Sequence, residues 1–151
     1  MTTRHLTKDK GDLAVAMTLA HLRANNIYAC LPISEHLPFD LIAVMPDMMT
    51  LRRVQVKYRA AKDGRLTLFF RGNYYDSKKI YTKRVNLEEM DTYAAYCPDT
   101  QQNYYVRVNE LHDDAVTFSL RLEPPKNNQK NGVWLAENYI DPHRMGVCEP
   151  V

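Results

Sequence analysis

Long apolar runs are missing from this chain: none approaches the roughly 20 residues needed to span a bilayer, so no transmembrane helix is expected. The opening stretch MTTRHLTKDKGD lacks the apolar core of a secretory signal, so export is not expected either. Cysteine is scarce and poorly placed for cross-linking. Cys30, Cys97 and Cys148 are odd in number, far apart and form no CxxC pair, which argues against disulfides or a zinc site and for reduced thiols in a cytoplasm. The histidines at 5, 21, 36, 112 and 143 form no HExxH or other ligand-spaced cluster, so a histidine-based metal centre is disfavoured. There is no internal repeat, low-complexity tract or interior linker.

What is present is an ordinary globular composition, with 45% hydrophobic and 25% charged residues. A chain of 151 residues can bury one mixed core, so a single domain over 1–151 is expected. The net charge of +2 hides an asymmetry. Between Arg52 and Arg84 there are 11 Lys or Arg against Asp63 and Asp76, so that segment carries +9 and the remainder −7. Such a distribution is the footprint of a polyanion-binding face.

Residues 38–57, PFDLIAVMPDMMTLRRVQVK, organise the chain. Two apolar runs, Phe39–Met45 and Leu51–Tyr58, flank the turn-prone PDMM and read as a β-hairpin. The first carries Asp40 near its start. On the second, Val54, Val56 and Tyr58 fall on one face and Arg53, Gln55 and Lys57 on the other. An acid beside a polar-x-Lys pair can place a divalent cation next to a lysine. Phosphodiester hydrolysis needs both, because negative charge accumulates on the phosphate and the leaving oxygen.

Pro38-Phe39-Asp40 followed by Gln55-Val56-Lys57 resembles the core of the PD-(D/E)XK nucleases, shared by restriction enzymes and junction resolvases. Within that group it is most similar to bacterial group I intron-encoded homing endonucleases with the restriction-enzyme fold. The resemblance implies an α/β fold, a mixed central sheet flanked by helices, with an added DNA-binding β-hairpin. It divides the nuclease domain into a core at about residues 8–110, a basic DNA-contacting segment 52–84 and a C-terminal extension 111–151. It further implies Mg²⁺-dependent hydrolysis of duplex DNA, with Mn²⁺ able to substitute. Asp40 would be the principal metal ligand, Gln55 a neutral ligand through its amide oxygen, and the Val56 carbonyl a further one. Lys57 would neutralise the scissile phosphate or orient the attacking water. Gln55 departs from the family pattern, which usually has Asp or Glu there; an amide ligates a metal but adds no charge. Asp12 has two readings: an extra catalytic and metal-binding acid from the first helix, or a surface acid favoured by the helix dipole. Many members place a Glu one turn further on, where this chain has Val15.

Around this centre, Leu13, Ala16, Met17, Ala20 and Ala24 predict a helix from Asp9 or Gly11 to Asn25, with Asp9 as N-cap. A short strand over Ile27–Leu31 and a loop Pro32–Pro38 follow; Glu35 and His36 could approach the site, though a loop histidine is usually solvated. Asp63-Gly64 predicts a hairpin whose arms carry Arg59 and Lys62 before the turn, and Arg65 and Arg71 after it. Such a ribbon fits the major groove, where arginine can read guanine. Arg53, Asn73, Tyr75, Lys78, Lys79, Lys83 and Arg84 complete the DNA-binding set. A helical turn over Leu87–Met90 should precede a scaffold hairpin of Asp91–Cys97 and Tyr104–Val108. Ala115–Leu122 reads as a strand, Pro124–Gly132 as a loop, and Trp134 as a core anchor or subunit contact.

One site cuts one strand, so cleavage of both strands favours a homo-oligomer, a dimer or tetramer with two sites facing one duplex. The alternatives are a structure-specific nuclease of the Holliday-junction type and a non-catalytic DNA-binding module, the latter favoured by the neutral Gln55.

Overall fold

The structure, a computed structural model, describes residues 6–146, apart from the side chains of residues 73–75. His5, Cys148 and the C-terminal VCEPV lie outside the described residues. Helix α1 (Leu6–Ala24) opens the chain, followed by β1 (Tyr28–Cys30), β2 (Leu41–Val44) and β3 (Leu51–Tyr58). Next come β4 (Arg65–Phe69), β5 (Arg71–Asp76), β6 (Lys79–Arg84), β7 (Thr92–Cys97), β8 (Gln102–Arg107) and β9 (Thr117–Arg121). Short 3₁₀ turns lie at Leu87–Glu89, Val108–Glu110, Ala136–Tyr139 and Pro142–Gly146.

The central sheet has five strands in the order β1-β2-β3-β7-β8, antiparallel except for the parallel pair β3–β7. It is therefore mixed, as expected. Strand period sorts its residues onto two faces. Leu41, Ala43, Val54, Val56, Ala94, Tyr96 and Tyr105 pack with Ala14, Leu22 and Ile27 in one core, under α1. Tyr93, Ala95, Cys97, Tyr104 and Val106 form the second core with Leu66, Leu68, Phe70, Leu120 and Tyr139. Among the described residues α1 is the sole α-helix, so the second face is covered by the β4–β9 ribbon and 3₁₀ turns instead of a helix.

The helix ends at Asn26, whose φ of 60° is left-handed. The Ile27 N–H donates to the Leu22 carbonyl and the Asn26 N–H to that of Arg23, a Schellman stop sealed by the buried Leu22 and Ile27. Its start differs from expectation: Asp9 lies in the first turn and is not the N-cap. The buried stripe differs too. Ala14, Thr18 and Leu22 are innermost, while Leu13 is exposed. Thr18 escapes an apolar-period search because its hydroxyl, bonded to the Ala14 carbonyl and the Asn103 amide, is satisfied inside.

The hairpin expected at Asp63-Gly64 is the main correction. Both residues have positive φ and turn the chain, but only a Lys62–Arg65 bridge joins the two sides. Strand β3 is central and spends both edges on β2 and β7, so β4 pairs with β9. The free-standing hairpin is instead β5–β6, paired from Arg71–Arg84 to Asp76–Lys79. The scaffold hairpin forms as expected from β7 and β8, and Trp134 packs edge-on to Phe118 while remaining partly exposed.

Candidate active site

The register Leu41–Val54 between β2 and β3 brings Asp40, just before β2, beside Gln55. The Asp40 N–H donates to the Val54 carbonyl at 2.9 Å. Its carboxylate then takes over the ladder: Oδ2 accepts the Val56 N–H at 2.7 Å and the Gln55 Nε2 at 2.6 Å. A side chain thus closes the end of the β2–β3 pairing. Oδ1 accepts no hydrogen bond among the described residues.

Lys57 points the same way as Gln55, one pleat further on. Burial lowers its pKa, the Asp40 carboxylate opposes that, and the Arg59 guanidinium adds to it. The site therefore holds one acid, one amide and one desolvated cation within a single hairpin.

No group of three His, Cys, Asp or Glu suited to a metal is present among the described residues. The groups here that could hold a cation are instead oxygens only: the Asp40 carboxylate, the Gln55 amide oxygen, if the amide turns over, and the Val56 carbonyl. Such a set suits a hard divalent cation that keeps several waters and shares phosphate oxygens, and it suits poorly a cation bound by protein alone. Gln55 now offers its NH₂ to Asp40. Turned over, the amide would present Oε1 to that carboxylate, an arrangement that only a cation between the oxygens would favour.

Asp12 makes no hydrogen bond or ion pair with this pair among the described residues. It is exposed, and at 100° per residue it lies on the side of α1 away from the buried Ala14. Lys10, by contrast, reaches the sheet, with Nζ 5.6 Å from the Tyr58 ring centroid. Glu35 and His36 stay in an exposed loop.

The basic set divides by environment. Arg53 is held by Asp91, its backbone N–H, Nε and Nη2 all donating to that carboxylate, and Nη2 also to the Glu88 carbonyl. Lys62, Arg65 and Arg71 are exposed, as are Lys78, Lys79, Lys83 and Arg84 on the β5–β6 ribbon. Arg84 also bonds the Asp113 carbonyl at the ribbon's base. Asn73 and Tyr75 lie on β5 with side chains outside the described part. Arg59 is half-buried against Phe69 and turned towards Tyr93, the β7 residue paired with Gln55. Asp91 and Tyr93 carry no local sequence signal, because their neighbours on β3 are reached through a parallel pairing that no local pattern announces.

The sequence profile of the PD-(D/E)XK endonucleases matches residues 5–142. Among solved structures, the bacterial homing endonuclease I-Ssp6803I is similar in fold, with a TM-score of 0.69 at 22% identity, covering 88% of this chain and 87% of that one. Hjc, a Holliday junction resolvase of Archaeoglobus fulgidus, aligns at a TM-score of 0.43 and 14% identity, over 74% of this chain and 84% of its own. No curated protein is significantly similar in sequence. With the profile spanning nearly the whole chain and the mixed sheet as its core, this protein belongs to the PD-(D/E)XK endonuclease family and is a nuclease of that type.

Proposed function

We propose that this nuclease hydrolyses phosphodiester bonds of double-stranded DNA at a specific site, with Mg²⁺, in the manner of an intron homing endonuclease. The observation that carries the reading is the convergence of Asp40, Gln55 and Lys57 on one end of the β2–β3 hairpin. In the reaction, water adds to phosphorus, one P–O ester bond breaks, and the leaving oxygen takes a proton. A divalent cation bound by Asp40, Gln55 and the Val56 carbonyl would supply Lewis-acid polarisation of the phosphate and lower the pKa of water. Asp40 contributes the sole full charge of that set, and Gln55 would add a neutral amide oxygen. Lys57, as the cation, sits where the phosphate's negative charge grows and stabilises it most in the transition state. Asp12 is left as an outlying acid.

The β5–β6 ribbon is proposed to enter a groove of the duplex. Both strands are exposed along the described side chains, and alternation puts Lys79 and Lys83 on one face and Arg84 on the other. A two-stranded ribbon is a shape the major groove admits. Since one site cuts one strand, the protein would act as a homo-oligomer with two sites on one duplex.

Incubating the protein with a randomised duplex library, with Mg²⁺ or with EDTA, tests this. Discrete products at one long site, lost in EDTA, are expected. Persistence in EDTA would defeat the metal mechanism. The single carboxylate at the site favours one competing reading, a DNA-binding module without catalysis, which predicts salt-sensitive binding and no products.

A further inference from the structure

Three arginines of this fold, Arg107 and Arg144 shielded and Arg53 more exposed, have carboxylate partners. Arg53 is paired with Asp91, and Arg107 and Arg144 share Glu110. Arg59 is different. Its backbone N–H donates to the Tyr96 carbonyl at 2.9 Å, extending the parallel ladder one step past β3. Strand alternation therefore carries on, and Arg59 shares its face with Gln55 and Lys57. Its guanidinium is half-buried, 5.5 Å from the Phe69 ring centroid, yet no carboxylate pairs with it among the described residues and its buried Nε has no hydrogen-bond partner.

Beside it stands a second orphan. Tyr93 is 1% exposed, its ring fixed by an edge-on contact with Phe70 at 4.9 Å, and its hydroxyl is also buried without a partner. Burial pushes the Tyr93 phenol up to about 12, so it stays a neutral hydroxyl at physiological pH. Lys57 and Arg59 thus lie close on one face, with Asp40 the only carboxylate among the described residues acting on either. Two like charges so placed repel each other, and the arrangement becomes favourable when an anion joins them.

We infer that Arg59 is a further catalytic residue, gripping the backbone phosphate that adjoins the scissile one, with Tyr93 a positioning residue for its guanidinium. Residues two apart on a strand are spaced about 7 Å, close to the interval between successive phosphates of one DNA strand. Lys57 and Arg59 can therefore address neighbouring phosphates and fix the register of the scissile bond. This assignment rests on the proposed nuclease reaction at Asp40, Gln55 and Lys57.

The test is single-turnover cleavage by the full-length protein with Mg²⁺, on a duplex carrying the site found by library cleavage. Arg59→Ala should slow the chemical step about 100-fold while changing duplex affinity less than about 3-fold. Millimolar guanidinium should restore part of the rate, and Tyr93→Phe should give a smaller loss without guanidinium rescue. Replacing the adjoining phosphate by a neutral methylphosphonate should slow wild type and leave Arg59→Ala unchanged. Rate and thermal stability falling together in Arg59→Ala, with no rescue and no loss of methylphosphonate sensitivity, would make Arg59 structural and overturn the inference. Lys57→Ala run alongside separates the two claims. If it is inert while Arg59→Ala cleaves at full rate, only this inference fails; if Lys57→Ala cleaves normally, the underlying reaction fails and this inference with it.

Discussion

At the scale of single residues, the site is built against stability. Lys57 loses hydration on folding, and Asp40 compensates only in part. Lys57→Met should therefore abolish cleavage and yet raise stability by about 1 kcal/mol, or about 2–4 °C in Tm. The pH dependence has a definite sign. The folded pKa lies below the unfolded value of 10.5, so the charged lysine costs stability at neutral pH. That cost is relieved as pH rises through the lowered pKa, and the gain from Lys57→Met should shrink over the same alkaline range. Thermal melts of both proteins from pH 7 to pH 10 check this; a constant or growing gain would contradict it. Asp12 makes the opposite case. Exposed and turned away from the sheet, it should tolerate Asp12→Ala with cleavage within about 3-fold of wild type, since it is not placed to stabilise the transition state.

At the scale of elements, two features carry separate duties. The 3₁₀ turn at Pro142–Gly146 is fastened to β8 by Arg144, whose Nη1 donates to the Tyr105 carbonyl and whose Nη1 and Nη2 both reach Glu110. Arg107 bonds the same carboxylate. Burial works to raise the Glu110 pKa, but the hydrogen bonds from Arg144 and Arg107 outweigh it and hold the carboxyl below its usual range. Its contribution is therefore present above the ordinary carboxyl pKa of about 4.5 and lost as pH falls through the lowered folded value. Glu110→Ala removes the carboxylate that Arg107 and Arg144 share and should cost about 3 kcal/mol at pH 7, less in acid, with little change in cleavage rate. Denaturant melts at the two pH values measure it. The β5–β6 ribbon should show the reverse. Replacing residues 72–83 by a tight turn between Arg71 and Arg84, which are already paired, should spare the fold and weaken DNA binding. The slope of log affinity against log salt should flatten by about 0.9 for every phosphate the shortened protein no longer neutralises.

The β2–β3 hairpin was legible in the sequence because local alternation and a turn define it, and with it came Asp40, Gln55 and Lys57. The β7–β8 hairpin was legible for the same reason. The partner of β4 was not: the turn at Asp63-Gly64 looked like a hairpin, and only the occupation of both β3 edges sends β4 to β9, far along the chain. Tyr93 was equally hidden, since it meets Gln55 through the parallel pairing of β3 and β7. In α1, the buried Thr18 broke the apolar stripe that would have shown the true phase.

At the scale of the whole molecule, the sheet separates support from chemistry. One face rests on α1, while Gln55, Lys57 and Arg59 share the other with the core under β4 and β9. None of the described helices is long and apolar enough to cross a membrane. The central claim is that Asp40 and Lys57 perform cation-dependent phosphodiester hydrolysis on bound DNA. The most direct test measures duplex binding and Mg²⁺-dependent cleavage side by side for wild type, Asp40→Asn and Lys57→Ala. The account predicts that wild type cleaves only with the divalent cation, and that both variants bind the duplex yet lose cleavage by about 1,000-fold or more. Cleavage by Lys57→Ala at the wild-type rate, or by wild type in EDTA, would contradict it.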